Sequence, residues 1–211
     1  VASRGLGDVY KRQVLHEPGD IVTLAGTRFV VLDVERRGSL PDSLFLLALE
    51  SVGASEFGSS NNYAESDLKK AVDKWLEDMG KRGLDNAKLI PREIDLTTLD
   101  GSGCYGKLSV KAAPLTLDEA REYADIIPNA ERWCWLATGW SGPSKSDGDL
   151  ALYVNSFGVW YNYYCSNSYG IRPALKAPSI LFEDSEAGLD LSKIPTDDLL
   201  QEIHRRLAEK A

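Results

Sequence analysis

Leu68, Ala71, Val72, Trp75, Leu76 and Met79 recur at i, i+3, i+4, i+7, i+8 and i+11, a helical stripe in a chain whose earlier apolar segments read as strands. That change of period constrains the fold more than any other feature, because a helix with one apolar face must lie on a sheet or another helix. Ahead of the stripe, Glu17-Pro18-Gly19-Asp20 reads as a turn. Ile21 to Leu24 and Phe29 to Val34 flank a Gly26-Thr27 turn, which is a hairpin signal. Leu44 to Leu49 is a continuous apolar run between Pro41-Asp42-Ser43 and Gly53 and suits a third, buried strand. Ser66 is the expected N-cap of the helix and Gly80 or Gly83 its stop. Thr116-Leu117-Asp118-Glu119 is a capping-box pattern that announces a second helix, carrying Ala120, Tyr123, Ala124 and Ile127 until Pro128. The expected class is α+β, with small antiparallel sheets and two packed helices.

Composition narrows the function classes. A net charge of −8 and a hydrophobic content of 43% describe a cored, acidic protein, without the basic face that nucleic acid or an anionic membrane requires. The longest apolar runs fall far short of the roughly 20 residues that span a bilayer. The three cysteines, Cys104, Cys134 and Cys165, lack metal-ligand spacing and leave one unpaired in any disulfide scheme, so reduced thiols and synthesis in a cytoplasm are expected. No metal site and no cofactor is expected. His16 and His204 have no evident catalytic partner and read as surface residues. Ser66-Asp67-Leu68-Lys69 spells the S-x-x-K of acyl-enzyme formers, but its companion motifs are missing and Ser66 has a role as a cap. Asp147-Gly148-Asp149 reads as a turn rather than a calcium loop.

The two ends are expected to stand apart from the fold. Residues 1–13 resemble the in-frame translation of a transposase adapter from shotgun library preparation, and excluding them takes the net charge from −8 to −10. The natural start of the protein, and with it any export signal and the compartment of action, is then not legible. Residues 14–175 form the expected domain and 176–195 a linker. Residues 196–211 form a terminal amphipathic helix, opened by Pro195-Thr196-Asp197-Asp198, whose Leu199, Ile203 and Leu207 edge is a candidate for self-association.

Four of the five tryptophans, Trp133, Trp135, Trp140 and Trp160, fall within 28 residues, and beside them Leu150 to Leu175 is rich in Tyr, Asn and Ser. Leu152 and Val154 should face a core, with Tyr153 and Asn155 opposite. Alternation then sets Trp160, Asn162, Tyr164 and Ser166 against Tyr161, Tyr163, Cys165 and Asn167. Neither of the latter faces is a conventional apolar face. Tyr, Trp, Ser and Asn are the residues of paratopes, where rigid rings give contact area at low entropy cost and short polar groups adapt their hydrogen bonds. The opposing interpretation is a partly solvated, Tyr-rich edge strand.

Asn61-Asn62-Tyr63-Ala64-Glu65-Ser66-Asp67-Leu68, Leu89-Ile90-Pro91-Arg92, Tyr105-Gly106, Leu115 to Glu119, Trp133 to Thr138, Val154-Asn155-Ser156-Phe157-Gly158 and the closing Gly170-Ile171-Arg172-Pro173-Ala174-Leu175 resemble, in this order, a bacterial and phage family of unknown function. That family is similar to the C-type-lectin-like fold of formylglycine-generating enzymes and of the variable proteins of diversity-generating retroelements. The resemblance implies a non-catalytic binding domain for a protein or glycan on a cell or phage surface. Its ligand face would comprise Tyr153, Asn155, Trp160, Tyr161, Asn162, Tyr163, Tyr164, Ser166, Asn167 and Ser168, on a scaffold held by Trp133, Trp135, Arg172 and Pro173. Every residue from Tyr161 to Tyr169 is reachable from an A-A-pyrimidine codon, the substrate of adenine-directed diversification. The enzyme branch needs a reactive cysteine pair or a histidine-based iron site, and neither maps onto the cysteines and histidines here. Alternative roles are a structural subunit of a phage particle and an oxidase-like enzyme of the same fold.

Overall fold

The computed structural model describes residues 16–37, 40–145 and 147–182. The expectations for residues 1–13, for the terminal helix and its self-association edge, and for His204 lie outside the described residues.

The protein is α+β. β1 (Ile21–Leu24) and β2 (Thr27–Arg37) form the hairpin expected from their period, joined at Ala25 and Gly26, both with positive φ. β3 (Leu40–Ala48) follows antiparallel to β2. A short β4 (Ala54–Glu56) leads to helix α1 (Asp67–Lys81), then to the pair β5 (Arg92–Asp95) and β6 (Lys107–Val110), a two-residue β7 (Ala112–Ala113) and helix α2 (Leu117–Glu122). The rest is strand: β8 (Cys134–Gly139), β9 (Leu150–Val154), β10 (Trp160–Tyr164), β11 (Ser168–Gly170) and β12 (Ala174–Pro178). One five-stranded sheet has the order β1-β2-β3-β12-β7 and the other β10-β9-β8-β11-β4.

The first sheet is buried on both faces, which is why β3 is apolar without alternation. Phe29, Val31, Leu44 and Leu46 join the core that contains Leu68, Val72 and Met79 of α1, and Trp75 and Leu76 pack against it. Val30, Leu32 and Leu47 face a second core under α2, with Leu117, Ala120, Leu136 and Leu152. The stripe expected on α1 is thus its contact face.

Both helix starts follow their sequence signals. Ser66 Oγ accepts the amide of Lys69 at 2.9 Å and donates to the Tyr63 carbonyl at 2.8 Å, so the hydroxyl of the S-x-x-K motif is engaged as a cap. Thr116 and Glu119 form the reciprocal capping box. α1 stops at Gly83, not Gly80. At φ +101° Gly83 turns the chain so that its own amide reaches the Gly80 carbonyl and that of Leu84 the Met79 carbonyl. α2 is shorter than expected. It closes at Glu122, and the Tyr123 carbonyl receives both Ile126 and Ile127, so these side chains reach the second core from overlapping turns rather than helix.

The expected domain edge at Leu175 and the linker from residue 176 need correction. β12 continues to pair with β3 as far as Pro178 opposite Ser43, Ala177 is buried, and a 3-10 turn, Ser179–Phe182, seals Phe182 into the first core. The fold extends at least to Phe182 because β3 still offers pairing groups beyond the position where the sequence motif ends. The half-buried His16 ring packs edge-on against Phe182 at 5.7 Å, and burial lowers its pKa against the opposing charge of Asp20. No helix among the described residues is long and apolar enough to cross a membrane.

Candidate ligand-binding face

β9 and β10 pair with Tyr161 opposite Tyr153, Trp160 opposite Val154 and Tyr163 opposite Ala151. This register, with Trp135 opposite Tyr153 in β8, sorts the side chains into two faces. Tyr153, Tyr161 and Tyr163 lie on one face together with Trp133, Trp135 and Tyr169. Trp160, Asn162 and Tyr164 lie on the other, beside Leu152 and Val154. The ten expected ligand residues therefore do not share one surface.

On the first face the rings form a continuous layer. Trp133 stacks on Tyr153 at 5.2 Å, Tyr153 on Tyr161 at 5.9 Å, and Tyr169 lies 4.8 Å from Tyr153, 6.0 Å from Tyr163 and 4.7 Å from Trp135. Burial grades across it. Trp135 is 1% exposed and Tyr153 5%, whereas Trp133 and Tyr163 are each 43% exposed and Tyr161 51%. The layer rises from the core at Trp135 to solvent at the edge strand β10. Burial first, and then neighbouring phenols, raises the pKa of Tyr153 and Tyr169, so both rings present neutral hydroxyls. Beside Trp133 and Tyr169 a shallow depression of about 350 Å³ is rimmed by Glu131, Arg132, Ser156 and Ser168.

Several expected site residues are occupied locally. Asn155 Oδ1 accepts the amides of Phe157 at 2.9 Å and Val159 at 3.0 Å, so Asn155 organises the β9–β10 turn instead of facing outward with Tyr153. Asn167 Nδ2 is bound to the Tyr164 carbonyl at 3.2 Å, and Ser166 sits exposed in the same turn. Cys165 is buried: its amide reaches the Asp149 carbonyl and its carbonyl receives Phe57 and Gly58. Trp160 lies under the Arg121 guanidinium at 5.7 Å. Trp133, expected as scaffold, is exposed in the aromatic layer because it precedes β8 by one position on the Trp135 side. Tyr169 was missing from the expected face. Its signal was the alternation counted back from Gly170, which the intervening turn at residues 165–167 interrupts.

The closing motif connects the two sheets. Gly170 donates to the Trp133 carbonyl at 2.7 Å in β11. Ile171 exchanges hydrogen bonds with Val52 and Gly53, and the Pro173 carbonyl receives Ala48. Arg172 donates from Nε to the Ala48 carbonyl at 3.0 Å and from Nη1 to the Pro128 carbonyl at 3.1 Å. A Cβ on Gly170 would come within 2.8 Å of Cys134 Sγ and Ser51 Oγ, which accounts for the glycine.

Burial pushes the Cys134 thiol up to about 11 and the Cys165 thiol up to about 12, while Cys104 is exposed. Thiolate is the reactive form, so iodoacetamide should label Cys104 alone in the native protein and all three cysteines in denaturant. Equal native labelling of the three, read by mass spectrometry, would contradict this placement. Asp147 and Asp149 lie in a turn whose Gly148 carbonyl receives the Asn61 amide at 3.1 Å. Among the described residues no group of three or more His, Cys, Asp and Glu side chains converges to hold a metal ion. Compared with protein families, with curated proteins and with solved structures, the chain finds no match.

Proposed function

We propose that the protein is a non-catalytic ligand-binding module of C-type-lectin-like architecture, using the aromatic face of the β10-β9-β8-β11-β4 sheet to hold a protein or glycan on a cell or phage surface. The observation that carries this reading is the ring layer formed by Trp133, Tyr153, Tyr161, Tyr163 and Tyr169, anchored in the core at one end and open to solvent at the other. Contiguous exposed apolar surface of this kind marks interaction sites, and rings already packed on one another lose little entropy on binding. Neutral hydroxyls at the ring edges suit either sugar hydroxyls or peptide groups. The adjoining turns, closed by their own Asn side chains, keep the face rigid. Buried Cys165 within the Tyr161 to Tyr169 segment argues that any diversification of this face is confined to its exposed positions.

Tyr161→Ala and Tyr163→Ala should each cost about 1 kcal/mol of stability or less, since each ring is half in solvent and its loss removes only ring contacts. The same changes should remove about 2 kcal/mol of binding energy if the rings are anchors. Wild type and both variants are to be screened on a glycan array and on intact bacterial cells, with melting measured in parallel. Binding lost at unchanged melting supports the reading. Unfolding of both variants, or undiminished binding by both, overturns it.

A further inference from the structure

On the opposite face of the same sheet, between α2 with its following turns and strands β8 and β9, lies a partly open cavity of about 100 Å³. Ala120, Ile127, Leu136, Val154 and Trp160 supply an apolar wall, into which Arg172 is set. Arg172 is 7% exposed, and two of its donors are spent on the carbonyls of Ala48 and Pro128. Its Nη2 has no hydrogen-bond partner and is enclosed beyond the reach of a water-sized probe, so the guanidinium meets the cavity through its less buried atoms. No ion pair with a described Asp or Glu offsets its charge, in contrast to Arg92, the other arginine buried among the described residues, which pairs with Glu119. The Cys134 thiol near the guanidinium is held neutral by burial and does not supply the missing anion.

We propose that this cavity binds a small organic anion, a carboxylate on a compact apolar body, with the Arg172 guanidinium as the charge-recognising group. A buried cation without a counterion is unfavourable, and an anion in the adjoining cavity offsets its charge. The apolar wall selects a ligand whose remainder is hydrocarbon. A dry cavity of about 150 Å³ accommodates benzene; this one is smaller but open on one side, so a single ring or a short chain enters in part, with its far end at the mouth. One unpaired cation selects a monoanion. The site is separate from the Tyr161 and Tyr163 face and does not depend on the function proposed for it.

The full chain is titrated with benzoate and hexanoate, with benzamide and hexanamide as neutral counterparts, and with chloride. Calorimetry, tryptophan fluorescence and melting are the readouts, since Trp160 lines the cavity. Saturable carboxylate binding at least about ten-fold tighter than that of the matching amide, with a raised melting temperature, is the expected result. Ala124→Phe, which narrows the mouth from an exposed position, should abolish binding with circular dichroism unchanged, and Arg172→Gln should equalise acid and amide. Arg172→Gln also weakens the anchors to Ala48 and Pro128. If it does not fold, the acid–amide comparison and Ala124→Phe decide alone. Amide bound as tightly as acid, chloride bound as tightly as benzoate, carboxylate binding that survives Ala124→Phe, or no binding at millimolar concentration would overturn the proposal.

Discussion

Trp135→Ala should destabilise the protein by about 3 to 5 kcal/mol, a large share of the 5–15 kcal/mol that typically holds a domain folded. The indole is fully enclosed, meets Phe57 at 5.6 Å and Tyr169 at 4.7 Å, and donates from Nε1 to the Ser55 carbonyl at 3.0 Å. That hydrogen bond ties β8 to β4 across the intervening β11. Alanine would leave a cavity where the two sheets and the ring layer converge and would also remove the donor to Ser55. In urea the midpoint should fall sharply with little change in slope. Trp133→Ala, two residues away and half in solvent, should cost far less. Equal effects of the two substitutions would contradict the gradient of burial along this face, on which Trp135 is enclosed and Trp133 is exposed.

The second large effect is expected at Asn61. Its Nδ2 donates to the carbonyls of Ser141 and Leu150, both at 2.9 Å, and its Oδ1 accepts the Tyr105 hydroxyl at 2.6 Å. With 1% exposure, this one amide joins the segment before α1 to the chain on either side of the β8–β9 loop and to the loop before β6. Asn61→Ala strands groups that water cannot easily reach, at about 1 to 3 kcal/mol each. The Leu150 carbonyl retains a bond from Trp140, so the total should be about 3 kcal/mol rather than the full sum. Tyr105→Phe should cost about 1 kcal/mol, and in the double mutant with Asn61→Ala its effect should largely vanish, because the two residues share that bond. Full additivity in chemical denaturation would show that they do not interact.

What could be read from the sequence was what repeats. The α1 stripe, the β1–β2 hairpin, both N-caps and the sides of Leu152 and Tyr153 follow from periods and cap chemistry that act over a few residues. Strands of two or three residues, such as β4, β7 and β11, are too short to carry a period and exist because a longer neighbour pairs with them. The same limit affected the candidate face. Alternation placed Tyr161 and Tyr163 together, but Tyr169 lies beyond a turn that resets the count, and the exposure of Trp133 depends on which part of β8 the first core covers. Asn155 and Asn167 have the composition of a binding surface, yet they bind their own turns. Sequence identifies an amide but not which backbone groups stand within its reach. The anchoring bonds of Asn61 and the unpartnered Nη2 of Arg172 are tertiary properties of the same kind.

The position of β12 between β3 and β7 has a consequence for how the protein is made. A nascent chain can form the β1–β2–β3 meander early, since those contacts are local, but the open side of β3 must wait for Ala174–Pro178, and β7 has no sheet to join until then. Leu44, Leu46 and Leu47 therefore lie on a strand with one unpaired edge until β12 has been made, a state prone to edge-to-edge association. Emergence of β12 closes that edge in one step, and the Tyr-rich stretch, translated just before it, is carried to the far rim of the other sheet. Recovery of soluble protein should then depend more on β12 than on any aromatic ring of the exposed face.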